Sequence, residues 1–253
     1  MHNLKNSKLV FPALVTLALV LLVVLDKIES GLFERIIFTI FVLDVWIIGL
    51  CLHEFAHAYS AYKFGDNDVA QKGYLTLNPL LYGNAATSFI YPIIILLIGG
   101  LPLPGGAVYL DHSKIKTKFE IALTYICGPL ANLFFGIGLG LIYLVMGRVE
   151  HDAIIDDALT LSAFLQFYTF IFNLLPLPGF DGFGALSIYF NPEFRAKMLK
   201  LSAIMMVGLL FAVFYFPGVF FILQRPAVDG IQMMGMNIDA LMNGFDNFIS
   251  GAN

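Results

Sequence analysis

Long uncharged runs leave a chain few options, because about 20 consecutive apolar residues in a helix will cross a hydrocarbon core and little else can hide them. Four such runs stand in this sequence, at 9–25, 121–147, 158–180 and 201–224. A fifth, 36–62, is as apolar but carries Asp44, His53, Glu54 and His57. Composition agrees: 13% charged residues and a mean hydropathy of +0.83 are far from those of a soluble domain. The expectation is an all-α multi-pass membrane protein with about five to six transmembrane helices. The first run follows Lys5 and Lys8 but lacks a small-residue cleavage site before Asp26, so it reads as a retained span. A net charge of −4 excludes nucleic acid as a partner on electrostatic grounds. Cys51 and Cys127 both fall in apolar runs and read as packing residues.

Ionisable groups inside a membrane helix cost about 2.5–3.5 kcal/mol each on insertion scales and mark function. His53-Glu54-Phe55-Ala56-His57 is the densest such group. Residues four apart lie about 40° from one another around a helix, so both imidazoles can hold one metal, with Glu54 about 100° away beside it. This is the H-E-x-x-H arrangement of zinc peptidases, in which the glutamate takes a proton from metal-bound water. Two imidazoles leave a zinc site incomplete. The segment Asn173-Leu174-Leu175-Pro176-Leu177-Pro178-Gly179-Phe180-Asp181-Gly182 breaks a helix next to an acid, and an acid there needs a positive answer. Asp181 is the expected third ligand, preferred over the plainer reading of an aspartate capping the next helix. Asp44, about half a turn out of phase with His53, is expected off the metal face.

Topology constrains this constellation. His53, His57 and Asp181 can meet only if the ends of 36–62 and 158–180 face one side, so the stretch 73–110 must return to the side it left. That stretch is uncharged, is broken by Pro79, Pro92, Pro102 and Pro104, and has an apolar core at 88–101. A run of about 14 residues is too short to span comfortably, so a re-entrant or membrane-associated segment is expected between the zinc helix and the next span. The arrangement puts ten of the fourteen basic residues on the metal side, which makes that side cytoplasmic, with the active site opening there. Within the stretch, Gly73-Tyr74-Leu75-Thr76-Leu77 alternates like a strand and offers an edge for an extended peptide, or else forms a surface loop. Asn132, in Gly128-Pro129-Leu130-Ala131-Asn132, reads as an interhelical hydrogen bond, and Gly49 as a helix-packing glycine. His2, His112 and His151 read as solvated. The tail 226–253, with Ile231, Met234, Ile238, Leu241, Phe245 and Phe248 at steps of three and four, reads as an amphipathic helix that packs on the protein body or on a second copy.

Taken together and in this order, HEFAH, GYLTLNP, GPLAN and FNLLPLPGFDG resemble the site-2 protease family of membrane-embedded zinc metalloproteases, in its compact prokaryotic form without a PDZ or CBS module. The resemblance runs from about Ile36 into the tail. It implies a membrane-embedded protease domain over 1–225, a Zn2+ cofactor, a multi-pass location in the cell membrane, and cleavage of a transmembrane segment of a membrane protein substrate. Carried over residue by residue, His53, His57 and Asp181 are the ligands and Glu54 the base. Asn173 is the polar group near the scissile carbonyl or one that helps to open the substrate helix. Asn132 or Asn173 steadies the oxyanion. Members commonly have two glycines after the aspartate, whereas here Phe183 follows Gly182. Two rival readings stand beside it: a metal-binding or metal-transporting membrane protein with the same ligands, and a membrane zincin whose third ligand is a glutamate in place of Asp181.

Overall fold

The computed structural model describes residues 8–82 and 108–252. They form ten α-helices and, among the described residues, no strand: α1 Val10–Leu25, α2 Leu32–Phe64, α3 Asp68–Gln71, α4 Lys118–Met146, α5 Ala153–Asn173, α6 Asp181–Ser187, α7 Pro192–Lys200, α8 Ser202–Tyr215, α9 Pro217–Met233 and α10 Ile238–Ala252. Helix ends follow local chemistry. At the start of α4, the Thr117 and Glu120 side chains bond each other's backbone N–H in a reciprocal cap. Asp152 caps α5 by accepting from the Ile154 N–H. α2 stops at Gly65, whose φ of +123° lets the Asp66 N–H turn back to the Ala61 carbonyl at 2.9 Å.

α2, α4 and α5 are long and apolar enough to cross a membrane, and α7 with α8 make a fourth candidate bent by 56°. α1, at 16 residues, is a shorter apolar helix. The expected spans differ in two places. The run 158–180 yields a helix shifted to Ala153–Asn173, because Pro176 and Pro178 cannot continue it and Asp152 starts it earlier. The run 201–224 is not one span. Pro217 pushes Phe216 out of the helical region, to φ −119° and ψ 94°, and splits the run into α8 and α9. The strand-like reading of Gly73–Leu77 is also corrected. Tyr74–Thr76 is a turn of 3-10 helix between two residues in the left-handed region, Gly73 at φ +80° and Leu77 at φ +54°, and Tyr74 points inward. The core of the expected re-entrant segment, residues 83–107, lies outside the described residues. Its two flanks return to one place: Val108 bonds Glu54 of α2, and the Tyr109 carbonyl accepts from Lys72 just beyond α3.

α5 is the axis of the assembly. It is buried along most of its length, whereas α4 turns most of its surface outward. α2 and α5 run in the same direction and α4 runs against both. At the end opposite the histidines, the loops after α1 and α4 meet where the Asp152 N–H donates to the Asp26 carboxylate at 3.0 Å. One ridge of α4 repeats every four residues and is narrow: Gly128 lies against His57, Asn132 against His53, and Gly136 against Phe167 of α5. Small residues there let α4 approach both neighbours closely. The tail supplies the amphipathic helix α10, and its apolar face is covered by the chain itself. Leu241 and Phe248 are buried, and Phe245 packs edge-on against Phe164 of α5 at 5.5 Å between ring centroids.

Phe248 is 1% exposed, so Phe248→Ala is expected to destabilise the protein by about 3–5 kcal/mol through the cavity it leaves. Thermal unfolding in detergent measures this. Phe119→Ala, at a ring 68% exposed, should change stability by no more than about 0.5 kcal/mol.

Candidate metal centre

His53 and His57 lie one turn apart near the C-terminal end of α2, both buried, with rings edge to face at a centroid distance of 4.6 Å. Each ring is fixed from behind. The His57 Nδ1 is 2.7 Å from the Thr124 carbonyl, which can only accept, so Nδ1 carries the proton. The His53 Nδ1 is 2.6 Å from the Asn132 Oδ1, and Asn132 in turn donates from Nδ2 to the Gln166 Oε1 at 2.8 Å. With both Nδ1 atoms donating, both Nε2 atoms carry bare lone pairs. They face each other at 3.0 Å. The Asp181 Oδ2 closes the triangle at 3.2 and 3.4 Å.

Three acceptors converging on one point repel one another unless a cation lies among them. Tetrahedral zinc, with bonds of about 2.0–2.2 Å, spaces its ligand atoms about 3.3 Å apart, which is the spacing found here. The donor set, two neutral imidazoles and a carboxylate, also suits zinc. His53, His57 and Asp181 could therefore hold Zn2+. The alternative reading of Asp181 as a helix cap is not adopted: it is the first residue of α6, Phe180 holds the cap position, and the Asp181 carboxylate faces the imidazoles.

Steric room is built in. A Cβ at Gly128 would collide with the His57 ring, one at Gly49 with the Gln166 amide, and one at Gly182 with the Leu174 carbonyl. The glycine pair expected after Asp181 is replaced by alternate glycines. Gly184 takes the Tyr125 ring, while Phe183 between the two is buried. The break at 174–180 thus folds back tightly onto α6.

A cavity of about 340 Å³ opens at this centre, lined by His53, Glu54, His57, Asn173, Asp181 and Arg195 among others. Glu54 is buried beside the ligands, and its Oε2 accepts the Val108 N–H at 3.0 Å. The loop that supplies Val108 is tied down by Asp66. Fully buried, its carboxylate accepts the N–H groups of Asp111 at 2.8 Å and Asp68 at 3.2 Å. Asn173 ends α5 and donates to the Thr169 carbonyl at 3.0 Å. Asn132 reaches the site through His53, with its amide shared among His53, Gln166 and the Gly49 carbonyl. Asp44 lies elsewhere on α2, buried, and neither carboxylate oxygen has a hydrogen-bond partner among the described residues.

Three contributors did not stand out in the sequence: Gln166, Arg195 and the Thr124 carbonyl. Gln166 had a usable signal, being the one amide besides Asn173 in the run 158–180. The expectation of a solvated His112 is corrected. Its ring packs on Tyr125 at 5.1 Å, and its Nε2 is buried. Burial, and after it the neighbouring Arg195 charge, holds this imidazole below its usual pKa. The same expectation is corrected for His151, at the far end of the molecule, whose side chain is only 9% exposed and bonds Asp156 at 3.1 Å.

Gly128→Ala is expected to displace the His57 ring and weaken zinc binding by about 10- to 100-fold, the range seen when the supports of a ligand are disturbed. Chelator competition on the purified protein measures it. Gly138→Ala, on the same helix with nothing near the added methyl, should bind zinc like wild type.

The chain has relatives of known name. Over 157 residues, 61% of this chain and 59% of the relative, it is 41% identical to "Putative zinc metalloprotease Rip2" of Mycolicibacterium smegmatis. Its counterpart of the same name in Mycobacterium tuberculosis (strain H37Rv) is 37% identical over 174 residues, 68% of this chain and 65% of that protein. A Bacillus subtilis protein with the same description and the suffix YwhC is 33% identical over 167 residues, 62% of this chain and 72% of its own length. The chain thus spans about three fifths of the Rip2 proteins. No family model and no solved structure matches it. With the YwhC match covering most of that protein, the chain belongs to the site-2 protease family of membrane-embedded zinc metalloproteases.

Proposed function

We propose that this protein is an intramembrane zinc endopeptidase that cleaves a transmembrane segment of a membrane protein substrate from the cytoplasmic side. The observation that carries the reading is the placement of Glu54 in the same buried cavity as the three ligand atoms, with its carboxylate held by the Val108 N–H. Storage or transport of a metal needs ligands but no such base, and this disfavours the rival of a non-catalytic metal carrier. A Zn2+ bound by His53, His57 and Asp181 supplies Lewis acidity and a water of lowered pKa. Glu54 is placed to accept a proton from the attacking water and to return it to the amine that leaves. Asn132 and Gln166 hold His53 in its donor tautomer, and Thr124 does the same for His57. The Asn132 amide is occupied in this way, so the polar contact to the developing oxyanion falls to Asn173, which keeps a second N–H on Nδ2. The helix break at 174–180, with prolines that cannot donate, leaves backbone carbonyls beside the cavity to receive an unwound substrate strand.

Glu54→Gln should retain zinc and lose cleavage of a membrane-span substrate by about 10²-fold or more. Zinc content and cleavage are measured on the same preparation. Cleavage at the wild-type rate by Glu54→Gln overturns the proposal.

A further inference from the structure

We infer that Arg195 forms a carboxylate-binding subsite in the wall of the catalytic cavity, which favours substrates carrying an acidic group next to the cleaved segment. The inference rests on the proteolytic reading and adds to it a substrate preference.

Arg195 sits in the first turns of α7, where Asn191 caps the helix and Pro192 opens it. Its side chain, with that of Leu199 one turn on, lines the cavity that holds the ligands. Among the described residues the buried Arg195 Nε has no hydrogen-bond partner and Arg195 takes part in no ion pair. An unanswered buried guanidinium donor is costly, and its planar fork fits a carboxylate. Behind it, within reach of its charge, the buried His112 Nε2 has no hydrogen-bond partner among the described residues. Tyr125, which packs on the His112 ring and against Gly184 of α6, lines the same cavity as Arg195.

The chain's own acids do not fill the place. Asp66 and Asp111 act on His112 through space, but Asp66 is engaged by two backbone N–H groups and Asp111 by Ser113. Asp181 faces the histidines. A half-buried guanidinium in the wall of a cavity built for a peptide, its buried Nε without a hydrogen-bond partner among the described residues, is complementary to a carboxylate delivered by that peptide. Two sources share this chemistry: an aspartate or glutamate side chain, and the α-carboxylate at a peptide end.

The test uses the full chain in detergent and fluorescent membrane-span peptides in matched pairs, one pair with Asp or Asn on the cytoplasmic flank, the other with a C-terminal carboxylate or amide. Binding is measured on the Glu54→Gln protein, so that nothing is cut. The expected result is a Kd about tenfold lower for the carboxylate member of one pair, and which pair shows it identifies the source. Adding Arg195→Gln should erase that preference, and Arg195→Lys should keep part of it. On the otherwise wild-type enzyme, Arg195→Gln should raise KM for the acidic peptide about tenfold, leave kcat and zinc content unchanged, and leave the neutral peptide unaffected. Equal affinities within both pairs, or a preference that survives Arg195→Gln with zinc content intact, overturn the subsite. Cleavage without any acidic preference removes the subsite and leaves the protease. A carboxylate preference in a wild-type protein that cuts none of the peptides keeps the subsite and removes the protease.

Discussion

Two imidazole nitrogens with their lone pairs aimed at each other across 3.0 Å, and a carboxylate oxygen closing the triangle, form an arrangement that no hydrogen bond can hold together. Both protons that might have bridged the gap are committed on the far sides of the rings, to Thr124 and Asn132. In water such a cluster would fly apart or take up a proton. In a buried site screened by α4 and α5, what balances it is a divalent cation, and the rest of the molecule can be read as the scaffold that keeps three acceptors in register for one.

The scaffold meets this demand by close approach. Thr124, Gly128 and Asn132 lie on one ridge of α4, so a single helix face supplies a carbonyl for one imidazole, an amide for the other, and the gap between them that admits the His57 ring. Gln166 extends the same logic to α5. Its amide fixes the orientation of Asn132, and Gly49 of α2 makes room for it. Three helices are thereby locked by one polar chain in a region where each unsatisfied group costs several kcal/mol.

What was legible in the sequence follows from how local each signal is. His53 and His57 share a face by helix geometry alone, and the isolation of Asp181 at a proline-rich break in an apolar run marks it as an acid in need of a partner. The amphipathic spacing of 238–248 and the glycine in GPLAN were equally readable. Less accessible were features decided by distant packing. Gln166 looks like any polar residue until Asn132 and Gly49 are beside it. The turn at Gly73–Leu77 has a strand-like alternation, overridden because two left-handed residues curl it and bury Tyr74. The run 201–224 reads as one span by hydropathy, although the single residue Pro217 divides it. His112 passes for a loop histidine because its cover comes from Tyr125, thirteen residues on.

Glu54, the proposed base, draws the hydrogen bond on its carboxylate from outside the helix bundle. Glu54 is held through Val108, and Val108 is positioned by a loop that Asp66 staples to the end of α2, with Lys114 adding an ion pair to Asp68. In this assignment the two imidazoles depend on helix packing and the Glu54 carboxylate on loop chemistry, within one cavity. Such a division lets metal affinity and proton transfer be tuned separately: a shift in the loop after 108 would move the carboxylate without touching the imidazoles, whereas a shift in α4 would do the reverse. Because Glu54 follows His53 directly in the chain, its backbone cannot move independently of the ligand helix. The freedom left to the base is that of its side chain, which is the degree of freedom the Val108 hydrogen bond removes.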